Sequence, residues 1–227
     1  MQSNAEKNTA EFVPALRFKW ATGLYDGVIE YSTRGHRLRT LSVQAIAPKA
    51  GEAILDLGCG TGGLTIALAE DEPHAAIAGY DIDPDILEIA LEKAAKLKGE
   101  NRIAFEKVNV SDPTSIPLSD IGRFNCVTSS LVFHHLTRDQ KKNAMKSALA
   151  LLRPGGRFVL IDWGPGANFF LKYAFWLVRL LDGLAVTSDN AKGKMPELLA
   201  EAGFSNVKAT PMLNTIFGTV WCYKATA

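Results

Sequence analysis

The sequence predicts an α/β protein: a doubly wound, mostly parallel, seven-stranded sheet with an antiparallel C-terminal hairpin and a helical cap. Three observations carry this. From residue 53 onward, short apolar strands alternate with helical stretches, the pattern of βαβ units in a sheet covered on both faces. A glycine-rich turn, Gly58-Cys59-Gly60-Thr61-Gly62-Gly63, joins the first strand to its helix. Two late strands, Val207 to Pro211 and Thr215 to Tyr223, are separated only by Met212-Leu213-Asn214, a gap that allows a hairpin and forbids a parallel crossover.

The elements follow in order. Residues 1–34, aromatic-rich through Phe12, Phe18, Trp20 and Tyr25, form an N-terminal helical cap segment, and 35–227 form one domain. Arg34 to Ala47 reads as a helix ended by Pro48. Ala53 to Leu57 is the first strand, followed by the glycine turn and a helix to about Glu70. Ala75 to Tyr80 is the second strand, ending at Asp81. Pro84 opens a helix, where its missing N–H costs nothing, and that helix stops near Gly99. Ile103 to Val110 and Phe124 to Ser129 are strands three and four. Arg138 to Leu152 is a helix closed by Arg153-Pro154-Gly155-Gly156, and Arg157 to Asp162 is the fifth strand. A helical insertion or lid spans about 166–195. It holds an apolar helix from Ala167 to Val186 and a polar, mobile-looking loop from Thr187 to Lys194. Pro196 to Ala202 is a short helix before the hairpin.

Composition narrows the function. The chain has 227 residues, 25 Lys+Arg against 24 Asp+Glu, with 47% hydrophobic and 22% charged residues. The apolar fraction is too high for disorder. A net charge of +1 does not supply the clustered cations that a nucleic-acid surface needs, so no nucleic-acid partner is expected. Cys59, Cys126 and Cys222 lie far apart with no ligand spacing, which argues against a disulfide framework and a metal site. With no apolar leader stretch at the N-terminus, the expected compartment is the cytoplasm.

The glycine turn suits a nucleotide-like ligand held at a helix N-terminus. Gly58, Gly60 and Gly63 also satisfy the dinucleotide spacing G-x-G-x-x-G, so glycine alone does not choose the ligand. Asp56 helps to choose. A carboxylate at the mouth of the turn repels a pyrophosphate by about 4 kcal/mol at roughly 4 Å and an effective dielectric near 20. It attracts the ammonium and sulfonium of S-adenosyl-L-methionine. Asp81, ending the second strand, can accept from both ribose hydroxyls of either ligand. Asp112, after the third strand, can accept from an adenine amine, although Ser111-Asp112-Pro113 also reads as an ordinary turn. These three acids end successive parallel strands, the edge where such sheets bind ligands.

Five segments in this order resemble the class I S-adenosylmethionine-dependent methyltransferases: Ile54 to Gly62, Gly79 to Asp83, Ser111-Asp112 with Ile116-Pro117, Ser130 to Leu136, and Leu152 to Gly156. Within that family the pattern looks most like the small-molecule branch that includes ubiquinone/menaquinone-biosynthesis methyltransferases. The resemblance implies the Rossmann-like fold of that family and S-adenosyl-L-methionine as cofactor. It places Asp56, Gly58, Gly60 and Thr61 at the methionine part, Asp81 and Ile82 at the ribose and adenine, Asp112 at the adenine amine, and Ser130 and His134 near the sulfonium. Tyr25 resembles a residue that closes over the cofactor. Asn125 stands where the family often has Asp.

The expected reaction is in-line transfer of a methyl group to a small, apolar or quinone-like acceptor. Positioning and desolvation do much of the work. An acceptor that must lose a proton needs a base. His134 and His135 are the candidates, with His36 and Asp162 behind them. A purely structural role for the two histidines carries equal weight. The helix from Ala167 to Val186 is apolar except for Lys172, Arg179 and Asp182. It reads as a lid over the acceptor, as a peripheral membrane contact, or as a packed core or dimer helix, leaving monomer and homodimer both open. Two rival functions remain: a cofactor-binding partner protein without catalysis, and a nucleotide-dependent oxidoreductase.

Overall fold

The computed structural model describes residues 35–97 and 103–227. The cap segment 1–34, with Tyr25, and Gly99 lie outside the described residues, and the helix expected to stop near Gly99 ends earlier, at Ala94. The elements are α1 (Gly35–Ile46), β1 (Ala53–Leu57), α2 (Gly63–Asp71), β2 (Ala76–Asp81), α3 (Pro84–Ala94), β3 (Ala104–Lys107), β4 (Phe124–Ser130) and α4 (Arg138–Leu151). After these come β5 (Leu152–Gly164), α5 (Phe169–Asp182), α6 (Ser188–Ala191), α7 (Met195–Glu201), β6 (Ser205–Thr215) and β7 (Gly218–Thr226).

The seven strands form one sheet in the order β3-β2-β1-β4-β5-β7-β6. The first five are mutually parallel. β7 runs antiparallel between β5 and β6, as the short gap requires. The hairpin turn sits at residues 216–217 rather than 212–214, so both its strands are longer than the sequence suggests. β3, in contrast, ends at Lys107, with Asp112 five residues beyond it. Central β1 reads Ala-Ile-Leu-Asp-Leu and is buried from its second residue onward, because helices cover both faces.

Local chemistry fixes the helices. Asp83 caps α3 by accepting from the Asp85 amide, with Pro84 at the first helical position. Thr137 and Gln140 form a reciprocal capping box at the start of α4. The side of α4 carrying Ala144, Met145, Ala148 and Leu151 packs into one of two core clusters. Arg157 of β5 bridges both oxygens of Glu52, just before β1, at 2.6 and 2.7 Å and donates to the Ile46 carbonyl, pinning the end of α1 to β5. Asn125 uses its side-chain oxygen to accept from the Ala53 amide at 3.0 Å, work that an amide carbonyl does as well as a carboxylate.

One expectation is corrected. Residues 187–194 are not a mobile polar loop: Thr187, Asp189 and Asn190 are buried, and 188–191 form α6. Asn190 donates to the Trp163 carbonyl at 2.9 Å, Asp189 pairs with Arg138 at 3.0 Å, and the Lys141 ammonium donates to the Val186 carbonyl. Polar side chains look solvated in a sequence, but here each finds a partner inside. The described residues contain no helix long and apolar enough to cross a membrane and no cluster of metal-ligating side chains.

Candidate cofactor and catalytic site

The chain order reverses between β1 and β4, and crevices form at such switch points beyond the carboxyl ends of the strands. Here a cavity of about 170 Å³ is lined by Asp56, Gly58, Cys59 and Gly63 from β1 and its turn, and by Ser130 and Leu131 after β4. Gly35, Leu38, Arg39 and Ser42 of α1 complete it. Sequence reasoning found Asp56, Gly58 and Ser130. It missed α1, whose contribution carries no motif. Leu131 was also missed, and it holds a left-handed φ of 57° while donating to the Ile161 carbonyl at 2.8 Å. A bulky residue there is strained, and such strain gathers at functional edges.

Asp56 is buried. One oxygen accepts from the Thr65 hydroxyl at 2.8 Å, and the other, Oδ1, has no partner. Burial, offset in part by Thr65 and reinforced by Asp81, pushes this carboxyl up to about 7. An orphaned buried carboxylate oxygen at a cavity wall fits a cationic ligand.

Four amides of the turn are bonded within the protein. The Gly58 and Cys59 amides donate to the Tyr80 carbonyl at 2.7 and 3.0 Å, and the Gly62 amide to the Cys59 carbonyl at 3.0 Å. The Gly60 amide donates to Asp81 Oδ2 at 2.9 Å. Amides spent in this way are not offered to a pyrophosphate, which weakens the dinucleotide reading. Asp81 Oδ1 accepts from the Asp83 amide at 3.0 Å, so Asp81 braces the turn and lies at its mouth. Burial raises its carboxyl above the ordinary range, with the backbone donors opposing. Ile82 is half-buried just beyond.

Two glycines are needed for different reasons. Gly60, at φ 54°, has open space where a Cβ would stand, a face a ligand can approach. Gly58, at φ 70°, would place a Cβ 2.5 Å from a Val132 methyl. Gly58→Ala should therefore cost about 2–4 kcal/mol of stability, from the left-handed backbone and the clash together. Denaturant titration measures it, and an unchanged midpoint would contradict this account.

Asp112 is not among the residues lining the cavity. Its Oδ1 accepts from the amide and hydroxyl of Thr114 at 2.9 and 2.7 Å, capping a short turn over Pro113–Ser115. Those bonds hold its carboxyl below the usual range. The turn reading holds for that oxygen, and Oδ2 is the atom left for an outside donor. The three cysteines are unpaired and buried, and burial raises their thiols.

The second constellation follows β4. His134 is buried, and its Nδ1 lies 2.7 Å from Asp162 Oδ1 at the end of β5. The His134 amide donates to Asp162 Oδ2 at 3.0 Å, and the Trp163 amide to Oδ1 at 2.7 Å. Three donors thus fix one carboxylate, which fixes the imidazole and leaves Nε2 as its other nitrogen. The exposed His135 ring is 3.8 Å from that of His134. Asp162 was legible as a polar residue inside the run Phe158 to Trp163, and its bond to His134 was not. His36 stands apart, exposed on α1.

The chain is also similar to known proteins. Residues 48–208 match a family model described as a methyltransferase domain. A demethylmenaquinone methyltransferase of Thermus thermophilus is 32% identical over 187 residues, 74% of this chain and 81% of the relative. A ubiquinone/menaquinone biosynthesis C-methyltransferase of Pseudomonas aeruginosa is 25% identical over 228 residues, covering 91% and 84%. Among solved structures, magnesium protoporphyrin IX methyltransferase of Synechocystis with bound SAH shares the fold at a TM-score of 0.68 and 17% identity, covering 92% of this chain and 94% of that one. The chain belongs to the methyltransferase domain family, enzymes whose methyl donor is S-adenosylmethionine.

Proposed function

We propose that this enzyme transfers the methyl group of S-adenosylmethionine to a small apolar acceptor of the quinol or lipid type, on carbon or oxygen. The observation that carries the cofactor reading is the orphaned Asp56 oxygen in a cavity beside the glycine turn. When bound, the cofactor supplies a methyl carbon activated by a sulfonium. The chain's own residues do the rest. Asp56 faces the cationic end. Gly58, Gly60 and Thr61 let the ligand approach the backbone. Asp81 accepts from the ribose, Ile82 packs on the base, and Asp112 Oδ2 accepts from the adenine amine. Ser130 borders the methyl. The 166–195 insertion contributes the acceptor side, where Trp163 stands between His134 and Phe175 at centroid distances of 6.4 and 5.7 Å. His134 Nε2 takes the acceptor's proton, with Asp162 as its positioning residue. The names of the two relatives support a quinol-like acceptor.

Isothermal titration with S-adenosylmethionine and with NADH tests the cofactor, and NADH binding alone would overturn the reading. Transfer of a labelled methyl group into a membrane-lipid extract, or into a naphthoquinol, tests the acceptor.

A pH prediction follows from Asp56. Its carboxyl sits near 7 instead of 3.8, so in the free protein stability should fall as pH rises from about 4 to about 7 and level off above. A cationic ligand favours the ionised form. Cofactor affinity should then rise steeply with pH, by up to about tenfold per unit, until pH passes 7. Titration in buffers of different ionisation enthalpy should detect the released proton. Asp56→Asn should abolish both the release and the pH dependence.

A further inference from the structure

α5 is attached to the body by one side and presents the other to solvent. Phe175 is buried, its ring tilted against that of Trp163, and seated over Gly218, where a Cβ would come within 3.1 Å of it. Opposite, Phe169, Tyr173, Trp176 and Leu180 recur at the three- and four-residue spacing of one helix face, and all are exposed. Phe170 at their border is 81% exposed, and Leu184 continues the stripe just past the helix end. The rings already pack on each other: Tyr173 stacks on Trp176 at 6.0 Å, and Phe169 meets Phe170 edge-on at 6.3 Å. An outward stripe of this size is unusual unless something covers it.

We infer that α5 seats this protein on the surface of an anionic bilayer, lying in the interfacial plane with the aromatic stripe turned into the lipid. Length, composition and charge favour that occupant. Fourteen residues make a helix of about 21 Å, too short to span a membrane and suited to lying along one. Tyr173 and Trp176 pair an apolar ring with a polar tip, the chemistry of the headgroup boundary. Lys172 and Arg179, seven residues apart, sit on the same flank, between the stripe and the buried side. Arg179 is tied to the Thr187 hydroxyl and the Leu184 carbonyl, whereas Lys172 is exposed, and there a long basic side chain reaches headgroup phosphates while its stem stays in apolar surroundings. The exposed stripe carries no acidic residue among the described ones. A second copy pressed on the same face would therefore bring cations to the border with no counter-charge. The docked face belongs to the chain segment that follows Asp162, on the strand-end edge that carries the catalytic constellation.

Co-sedimentation with vesicles tests this on the full chain, using equimolar phosphatidylglycerol and phosphatidylcholine beside pure phosphatidylcholine. The wild type should pellet with the anionic vesicles and much less with the neutral ones. Phe170→Glu and Tyr173→Glu should each lower partitioning on anionic vesicles at least about tenfold. Lys172→Glu should weaken binding to the anionic vesicles only. All three positions are exposed, so far-ultraviolet circular dichroism and S-adenosylmethionine affinity should match wild type. Those readouts separate loss of docking from misfolding and from a wrong cofactor assignment. Vesicle addition should shift tryptophan emission to the blue, and Trp176→Phe should remove most of that shift. Three results would overturn the inference: no binding to anionic vesicles, equal binding to both vesicle types, or a wild-type dimer that Phe170→Glu dissociates while vesicles bind nothing.

Discussion

His134→Ala is expected to slow methyl transfer to a phenolic or carbon acceptor by about 10²–10⁴-fold, the usual worth of a positioned general base. The geometry behind the number is the Asp162 bond, which commits Nδ1 and keeps the ring from turning. Single-turnover measurement with labelled cofactor and a naphthoquinol isolates the chemical step. Because His134 is buried, its loss can also disturb the turn over Phe133–His135, so cofactor affinity and thermal midpoint must be read alongside. Asp162→Asn gives the second reading. It preserves volume but removes the charge that sets the imidazole tautomer. It should lower the rate and alter the pH–rate profile, while a merely structural carboxylate would change stability and leave that profile intact. A near-wild-type rate in folded His134→Ala would make the dyad a structural device.

Asp81→Ala is the second large effect. Losing the carboxylate proposed to accept from the ribose should weaken cofactor binding by about 1–3 kcal/mol, roughly 5- to 150-fold in Kd. Part of the loss comes from the protein side, because the Gly60 and Asp83 amides lose their acceptor. Asp81→Asn separates the two parts. It keeps a carbonyl for one backbone donor while halving the acceptor capacity toward two hydroxyls. Calorimetry on both variants should rank them wild type, Asn, Ala in falling affinity. Equal affinity in all three would remove Asp81 from the site.

These predictions draw on residues legible in the sequence to different degrees. Asp56 and Asp81 were readable because parallel strands place their last residues on the ligand edge, and β1 and β2 end where their apolar runs end. Asp112 was placed in register with them by analogy of position. β3 stops at Lys107, and an Asp before Pro satisfies its own turn first. Lys141 carries no signal of its own in the sequence. It is buried, because Val186 returns 45 positions later to accept from it. Burial there lowers its ammonium below the usual lysine range. Local spacing reveals turns, caps and strand ends. It does not reveal which distant segment returns to supply a partner, so His134–Asp162 and Lys141–Val186 came only from the structure.

The self-contained glycine turn has a kinetic consequence. The Gly58, Cys59, Gly60 and Gly62 amides are bonded within the protein, so this part of the site has little ordering left to do when the cofactor arrives. Association should then be governed by diffusion and by access to the cleft. Differences among cofactor analogues should appear mainly in how long each one stays.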